Sequence, residues 1–281
     1  MKRHHSSVPG ELIRILSDVH YGDRSSRVLR LEQLRPLCEG VSTLVLNGDT
    51  LDTRQGPFPL LTARYRAEVA EFIAGAAPSV RVLTGNHDPN LSREHALDLA
   101  GGEVFVTHGD ILFKSIVPWG RDAAVIGERM AAALAARPAA NRPLEDQLEI
   151  LRLVAASIPQ RHQSEQNGLK YAVRFAMDCV WPPHRLMKVL RTWRDLPGLA
   201  SHLTVRHRPR ARFAVVGHTH RPGVWRTPSG VVVVNTGSFC RPFGGIAVDL
   251  EPRRLVVREV VARGGAYRPG KVVARFPLNG L

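Results

Sequence analysis

Five short motifs, spread over about two hundred residues, contain the side chains that could do chemistry in this chain. Each combines carboxylate, imidazole or amide groups, the types that bind divalent cations in proteins. In chain order they are Asp18-Val19-His20, Gly48-Asp49-Thr50-Leu51-Asp52, Gly85-Asn86-His87-Asp88, His108-Gly109-Asp110 and Gly217-His218-Thr219-His220. Together they supply the ligands needed for two neighbouring cations, and this combination predicts metal-assisted hydrolysis of a phosphate ester.

Any one of these motifs is weak on its own, because a turn-forming aspartate or a hydrogen-bonded histidine explains it equally well. Their occurrence together, in order, is much harder to explain by turns and packing. Glycines in four of the motifs would also let the backbone approach a ligand closely or adopt positive φ. These glycines are Gly48, Gly85, Gly109 and Gly217.

The hydrophobic pattern places the first four motifs directly after predicted β-strands. The strands are predicted over residues 12–16, 42–46, 80–84 and 104–107, with helices over about 25–38, 60–74 and 92–100 between them. In open α/β sheets, functional groups collect on the loops beyond the carboxyl ends of the strands. The alternation therefore predicts that the sheet positions the candidate ligands.

After His108, no β-strand is predicted for about a hundred residues. Helices are predicted over 122–137, 144–157, 164–181 and 184–194, and strands resume over 213–216, 231–235, 245–249 and 255–261 as a second, antiparallel set. The helical block thus reads as an insertion in one domain. We expect residues 1–118 and 210–281 to form the catalytic core and residues 119–209 to form a helical cap.

The charge of the chain is unevenly distributed. The formal net charge is +14, and residues 119–212 contain 16 basic and 8 acidic residues, a net of +8. Such a surface favours anionic partners. Only five of the 39 basic residues are lysines, so an arginine-rich solvated surface explains the same composition.

Composition narrows the class of protein further. A chain of 281 residues with 44% hydrophobic composition can bury a full core. The three cysteines are far apart and lack a C-x-x-C spacing, and the N-terminus has basic residues but no apolar stretch behind them. We therefore expect a cytoplasmic protein in a reducing compartment.

The motifs resemble the pattern D-x-H, G-D-x-x-D, G-N-H-[DE], H and G-H-x-H of the calcineurin-like metallophosphoesterase family. The resemblance implies an α/β fold of two packed mixed β-sheets flanked by helices, an αββα sandwich, with a helical cap insertion. It also implies two metal sites bridged by Asp49. The first would contain Asp18, His20 and His220, and the second Asn86, His108 and His218.

These ligand types also limit the cofactor. A shared carboxylate can hold two cations roughly 3.5 to 4 Å apart. Mixed oxygen and imidazole ligands suit manganese, iron or zinc. We expect two divalent metal ions, with Mn²⁺ first and Fe or Zn as alternatives.

The same resemblance assigns roles to side chains around the metals. It implies that a metal-bridging hydroxide attacks phosphorus while His87 assists the leaving group and Asp52 fixes the orientation of His87. We expect Arg221 and Asn86 to contact the substrate as well. Two alternatives stay open, since His87 could merely pack beside Asn86 and Arg221 could be a solvated turn residue.

Departures from individual subfamilies narrow the substrate. The segment after Asp49 lacks the Arg-Gly of protein serine/threonine phosphatases and the tyrosine ligand of purple acid phosphatases. The sequences around His108 and at 217–222 resemble a bacterial branch that includes the UDP-diacylglucosamine pyrophosphatases, whose helical lid lies at the same place in the sequence. This resemblance leads to the hypothesis that the basic insertion caps the metal site and admits an anionic substrate with an apolar portion, in peripheral contact with the inner membrane. The alternative is that the insertion is a packing domain or an oligomer interface.

Other functions remain as alternatives. A nucleotide or cyclic-nucleotide phosphodiesterase fits the same metal site, and a non-catalytic scaffold would keep the fold without the chemistry. Nucleic acid is an unfavoured partner, because aromatic content is only 6% and no aromatics alternate with the basic residues. The sequence does not indicate an oligomeric state or choose among phosphomonoester, phosphodiester and pyrophosphate bonds.

Overall fold

Two mixed β-sheets face each other across a layer of branched aliphatic side chains. The computed structural model describes residues 11–53, 59–120, 122–137, 142–158, 173 and 183–279. Ile15 and Val45 of the first sheet pack against Val106, Val215 and Val234 of the second, all fully buried. Helices cover the outer faces, so the predicted sandwich of two mixed sheets flanked by helices is confirmed.

Each sheet combines parallel and antiparallel strands. The first sheet has the strand order β11-β10-β9-β1-β2-β3 and the second the order β4-β5-β6-β8-β7. The strands are β1 Ile13–Leu16, β2 Thr43–Asn47, β3 Ser79–Leu83, β4 Ala96–Leu99, β5 Val104–Thr107, β6 Phe213–Val216, β7 Gly223–Arg226, β8 Val232–Asn235, β9 Ile246–Glu251, β10 Arg254–Arg263 and β11 Ala266–Pro277.

Parallel pairing at the centre of each sheet positions the candidate ligands. Strands β1, β2 and β3 run parallel, as do β5, β6 and β8. In β1, β2, β5, β6 and β8 the central residues are almost wholly apolar and buried, as expected for parallel strands covered on both faces, whereas the edge strand β3 is partly exposed. The polar motifs follow at the carboxyl ends, where the strands stop.

The outer layers are built from short and long helices. On the first sheet, a 3-10 turn Leu31–Leu34, α1 Arg35–Cys38 and α2 Pro59–Gly75 pack against β1 and β2. On the second sheet, the helix α5 Pro183–His207 packs through Leu196 and Ala200 against β6 and β8. Among the described residues, no helix has the length and hydropathy needed to cross a bilayer.

The remaining described helices form a pair. These are α3 Ala123–Ala135 and α4 Leu144–Ser157, close to the predicted bounds. Met130 of α3 and Leu151 of α4 pack around Ile116, which follows the His108 motif along the chain. The helix predicted over 164–181 lies outside the described residues apart from residue 173, and the boundaries at 119 and 209 stay a prediction.

Three predicted helices differ from the structure, and the one predicted over 25–38 is helical only from Leu31 to Cys38. The segment 92–100 is not a helix, because Ala96–Leu99 pairs antiparallel with β5 as an edge strand and this pairing outweighs the helix propensity of Ala and Leu. The helix predicted to end at 194 continues through Pro197 to His207. Packing of Leu196 and Ala200 against the second sheet offsets the hydrogen bond that proline removes.

The later strands also differ from the expected antiparallel set. Strands β6 and β8 pair parallel and join the second sheet, whereas β9, β10 and β11 pair antiparallel and extend the first. Strands β7 and β11 were not predicted, because Gly223–Arg226 is short and Ala266–Pro277 contains Pro, Gly and Arg rather than a clean alternation.

Candidate metal centre

The predicted ligands occupy unusual backbone conformations. Among the described residues, seven non-glycine residues have positive φ, and five of these are predicted ligands. Their φ values are 52° at Asp18, 49° at His20, 49° at Asp49, 69° at His218 and 59° at His220. Left-handed conformations of this kind are costly for L-residues and concentrate at functional sites. The loops therefore bend sharply as they leave the strands and turn these side chains inward.

Asp18, His20 and His220 form one cluster of ligand atoms. The two ring nitrogens His20 Nε2 and His220 Nε2 lie 3.1 Å apart. Asp18 Oδ1 lies 3.4 Å from His220 Nε2 and 3.8 Å from His20 Nε2. Ligand atoms about 2.1 Å from one cation are separated by about 3.0 to 3.5 Å in common geometries. The spacing fits a shared cation.

Asp49, His108 and His218 form a second cluster. His108 Nδ1–H donates to the Asn47 carbonyl at 3.0 Å, because a carbonyl oxygen can only accept. Its Nε2 is therefore the nitrogen left for a cation; it is buried, makes no hydrogen bond to a described residue and lies 3.3 Å from Asp49 Oδ2. Burial alone would lower the pKa of His108, but Asp49 raises it well above its ordinary value, so a cation bound here would take the place of a proton on Nε2.

The tautomer of His218 is fixed in the opposite way. Its Nε2–H donates to the Ile116 carbonyl at 2.8 Å, so Nδ1 is the nitrogen left for a cation. Burial, with the nearby charge of His108, lowers the pKa of His218 to about 3. The ring is therefore neutral near pH 7, as a metal ligand must be.

One oxygen of Asp49 faces both clusters. Asp49 Oδ2 lies 3.6 Å from His20 Nε2 and 3.3 Å from His108 Nε2. The other oxygen, Oδ1, accepts the backbone N–H of His87 at 2.7 Å. Asp49 thus lies between the two histidine clusters with its orientation fixed, the arrangement that a bridging carboxylate requires.

In the absence of a cation, the carboxylates and histidines of the centre shift each other's pKa values. Burial alone would lower the pKa of His20, but Asp18 and Asp49 raise it to about 9. Burial alone would raise the pKa of Asp18, but hydrogen bonds from His20 and His220 hold it far below its ordinary value. A cation must displace these protons, so metal binding will release protons to the solution.

The loop after β3 carries Asn86, His87 and Asp88. Asn86 is buried, between Gly85, which lies against Asp49, and His87; its role as a ligand and substrate contact stays a prediction. The Asp88 carboxylate is fully buried and accepts the backbone N–H groups of Gly85, Asp49, Thr50 and Leu51. Asp88 therefore connects the loop of the Gly85-Asn86-His87-Asp88 motif to the loop that contains Asp49 and Asp52.

His87 and Asp52 form a separate pair beside the clusters. His87 Nδ1–H donates to Asp52 Oδ2 at 3.2 Å, which leaves Nε2 as the acceptor nitrogen. The His87 ring contacts the His20 ring edge-on with centroids 4.7 Å apart. Its side chain is 22% exposed, whereas that of Asp52 is 5% exposed. His87 can therefore reach a ligand in solution while Asp52 holds it from behind.

Arg221 follows the last histidine and is exposed. Its guanidinium carbon lies 5.6 Å from the centroid of the Trp193 ring. Trp193 Nε1–H donates to the Thr219 carbonyl at 2.9 Å, so α5 contacts the loop between the two histidines. The substrate contact of Arg221 stays a prediction. Its guanidinium lies against Trp193, which in turn contacts the loop between His218 and His220.

Three residues around the centre were not predicted to be there. Trp193 and Trp119, whose ring lies 5.6 Å from that of His218, come from the predicted insertion. Cys240 is buried, with its Sγ within 4.8 Å of the ligand nitrogens of His20 and His220. No local motif in the sequence marks these residues.

Close approach of the backbone to the ligands gives a testable prediction. A Cβ at Gly217 would overlap the side chains of Asp18 and Ser17, and one at Gly85 would overlap Asp49. We expect Gly217→Ala and Gly85→Ala to weaken Mn²⁺ binding by at least about tenfold, because the ligands must shift. Isothermal titration measures this.

Gly198→Ala is the matched control, because a Cβ there meets nothing within 4 Å in the middle of α5. It should leave Mn²⁺ affinity unchanged and raise the free energy of unfolding by about 0.5–1 kcal/mol. Equal Mn²⁺ affinity in all three variants would contradict the steric argument.

A two-sheet sandwich with His and Asp clusters at the carboxyl ends of its parallel strands defines a metal-binding α/β class. The sequence pattern of the calcineurin-like phosphoesterase family matches residues 12–222. The chain belongs to this family. No curated protein sequence matches the chain.

Three similar solved structures illustrate the range of relatives. Vacuolar Protein Sorting 29 from Cryptosporidium parvum is 13% identical over 96% of this chain and 100% of its own, with a TM-score of 0.45. A predicted phosphoesterase from Streptococcus pneumoniae is 15% identical, over 96% and 99%, with a TM-score of 0.41. A dimetal phosphatase from Danio rerio is 13% identical, over 96% and 99%, with a TM-score of 0.47.

Proposed function

We propose that the chain is a dinuclear metal-dependent phosphoesterase that hydrolyses a phosphoester or pyrophosphate bond. The observation that carries this proposal is the position of Asp49 Oδ2, within 3.6 Å of His20 Nε2 in one cluster and 3.3 Å of His108 Nε2 in the other. Two cations bound there would lower the pKa of a water molecule between them and neutralise charge on the phosphoryl oxygens.

The protein's own groups would position the reaction. The Ile116 and Asn47 carbonyls hold the rings of His218 and His108 with one nitrogen turned inward. The partly exposed His87 would meet the leaving group, transferring a proton through Nε2 or stabilising negative charge. Asp52 would keep the His87 ring in one orientation by accepting its Nδ1–H.

Mn²⁺ is the cofactor that we propose first, with Fe and Zn as alternatives. The clusters contain carboxylate oxygens and imidazole nitrogens, which suit all three metals. The Cys240 thiol lies close to the first cluster, and burial raises its pKa to about 12, so it would lose its proton only on binding a cation; a thiolate ligand there would favour Zn.

The N-terminal half of α5 supports an apolar portion in the substrate. Leu186, Met187 and Leu190 are each 40% exposed or more, on a helix segment that also contains Arg185, Lys188 and Arg191. Trp193, one turn further on, reaches the loop between the metal-site histidines. Apolar and basic side chains on one helix fit an anionic lipid-linked pyrophosphate, the substrate type of the bacterial branch named above, held at a membrane surface.

This membrane version can be tested with vesicles. The variant Leu186→Ser/Met187→Ser/Leu190→Ser should bind vesicles of phosphatidylglycerol and phosphatidylcholine at least about tenfold more weakly than wild type, because it loses most of the apolar area available for burial. Co-sedimentation measures binding. Leu199→Ser/Val205→Ser removes exposed apolar side chains further along α5 and should bind as wild type does. If the wild-type protein does not bind these vesicles, the membrane contact is ruled out but the phosphoesterase function is not.

The proposed activity is tested by Mn²⁺-loaded enzyme with three substrates: an aryl phosphomonoester, an aryl phosphodiester and a nucleotide-sugar pyrophosphate. We expect turnover of at least one, with the pyrophosphate preferred if the branch resemblance holds. Preference for the diester would favour a nucleotide phosphodiesterase. The competing hypothesis of a non-catalytic scaffold predicts that none is hydrolysed; His87 and Asp52, paired beside the ligands, favour catalysis.

A further inference from the structure

One arginine of α4 is buried, unlike most basic residues of the chain. Arg152 is 5% exposed, on a helix whose buried side chains include Leu148, Leu151 and Val154. A guanidinium placed in such surroundings is costly unless its donors are paired. The hydrogen-bond partners of Arg152 therefore indicate why this buried position carries a charged side chain.

Arg152 joins a carboxylate on its own helix to the loop that carries His87. Its Nε and Nη2 donate to the two oxygens of Glu149 at 2.8 and 2.7 Å, a bidentate pair. Its Nη1 donates to Asn90 Oδ1 at 3.0 Å and reaches the Pro89 carbonyl at 3.5 Å. The guanidinium thus contacts the middle of the loop, two and three residues beyond His87.

Glu149 contacts the end of the same loop. Its Oε2 accepts His95 Nε2–H at 3.0 Å, so His95 Nδ1 is an acceptor and takes the Thr84 hydroxyl at 2.7 Å. Thr84 N–H also donates to the Glu94 carbonyl at 2.8 Å, which closes residues 84–94 into a loop. Helix α4 therefore holds this loop at its middle and at its base.

The other side of the loop is held by the catalytic core. The Asp88 carboxylate accepts N–H groups of the β2 loop, and His87 N–H donates to Asp49 Oδ1. These contacts fix the near side of the loop, while the Asn90 side faces α4. Without Arg152, the far side would keep the packing of Leu91 against the core and the contacts at its base, but it would lose the hydrogen bonds from α4 to Pro89 and Asn90.

We propose that Arg152 and Glu149 are positioning residues, through which α4 sets the orientation of the loop that carries Asn86 and His87. This inference rests on the proposed function for its effect on rate. Residues that orient groups at a metal site commonly change affinity or activity by about 10- to 100-fold when they are removed. Helix α4 would then support catalysis, in addition to any contact that the predicted insertion makes with the substrate.

The test compares Arg152→Met with Arg208→Met. Arg208, directly after α5, makes a similar ion pair with Glu145 of α4, at 2.5 Å, but its other acidic partner is Asp98 on β4, at 2.8 Å, rather than the loop. Both variants lose a charged clamp to α4. We expect only Arg152→Met to lower kcat by about 10- to 100-fold and to steepen the dependence of rate on leaving-group pKa, the signature of a displaced His87.

Hydrogen exchange gives a readout that does not depend on activity. The amides of Gly85, His87 and Leu91 donate within the loop or to the core. They should exchange at least about tenfold faster in Arg152→Met and at the wild-type rate in Arg208→Met. Arg152→Lys keeps the charge but cannot make the bidentate pair, so it should lie between wild type and Arg152→Met, and it decides the matter if Arg152→Met fails to fold.

The outcomes separate the two proposals. Unchanged exchange at these amides, or equal changes in Arg152→Met and Arg208→Met, would overturn the positioning role. Faster loop exchange in Arg152→Met alone, with a wild-type protein that hydrolyses none of the substrates, would keep the positioning role and reject the phosphoesterase function.

Discussion

Asp49→Asn is expected to abolish the metal-induced rise in melting temperature and to lower kcat/KM by about 10³-fold or more. Asp49 Oδ2 faces both His20 Nε2, at 3.6 Å, and His108 Nε2, at 3.3 Å. An amide in its place carries no charge to offset that of two cations. Removing residues that only orient ligands already costs about 10- to 100-fold, so loss of the shared ligand should cost more.

Melting temperature separates metal binding from chemistry in this variant. A cation at 100 times its Kd stabilises the folded state by about 2.7 kcal/mol, which corresponds to a rise of roughly 5 to 10 °C for a chain of this size. We expect differential scanning calorimetry to find such a rise with Mn²⁺ for wild type and almost none for Asp49→Asn.

Asp110→Asn is the matched control. Asp110 is another buried carboxylate near the centre, and its Oδ1 accepts the N–H of Ile111, which an amide oxygen can also do. This variant should keep the Mn²⁺-induced rise. A full rise in Asp49→Asn would mean that Asp49 is not a shared ligand and that the two clusters act independently.

Much of the metal centre could be predicted because each of its five motifs is a short continuous segment of the sequence. Strands β1, β2, β3, β5 and β6 are short, mostly apolar runs, and each is closely followed by a motif of glycine and polar residues that does not continue the strand. Parallel pairing then brings loops together that are far apart in sequence. The five motifs needed only these two facts to be placed side by side.

The support around the ligands depends on contacts that the sequence does not encode locally. The tautomer of His108 is set by the Asn47 carbonyl, and that of His218 by Ile116, which is 102 residues away. Arg152 reads in sequence as one more exposed helix arginine, because its partners Pro89 and Asn90 lie on another element. Only the tertiary structure distinguishes it from its neighbours.

The helical segment illustrates the same limit. Residues 119–209 read as one cap, yet Leu196 and Ala200 of α5 pack on the second sheet as part of its outer layer, while Trp193 of the same helix contacts the Thr219 loop. Proline punctuation suggested that the helix ended before Pro197. Burial of one face against a sheet, which no local pattern reports, extends it to His207.

His87→Ala is expected to lower kcat by about 10²- to 10⁴-fold for a poor leaving group and by much less for a good one such as 4-nitrophenolate. His87 lies beside the clusters, and because Nδ1–H donates to Asp52, Nε2 is the nitrogen left to meet the leaving group, to which it can give a proton when the ring is protonated. A group that assists departure matters most when the leaving group is a strong base. A series of aryl phosphates with Mn²⁺-loaded enzyme measures this dependence.

Asp52 tests whether the two residues act as a unit. If Asp52 works only by holding His87, then Asp52→Ala should lose a part of the same effect, and Asp52→Ala/His87→Ala should be no slower than His87→Ala. Mn²⁺ should raise the melting temperature of His87→Ala as it does for wild type, since His87 is not a proposed ligand. His202→Ala, which removes an exposed histidine of α5, controls for loss of an imidazole. An equal fall in rate for all leaving groups would assign His87 to substrate binding, and a lost melting response would make it a ligand.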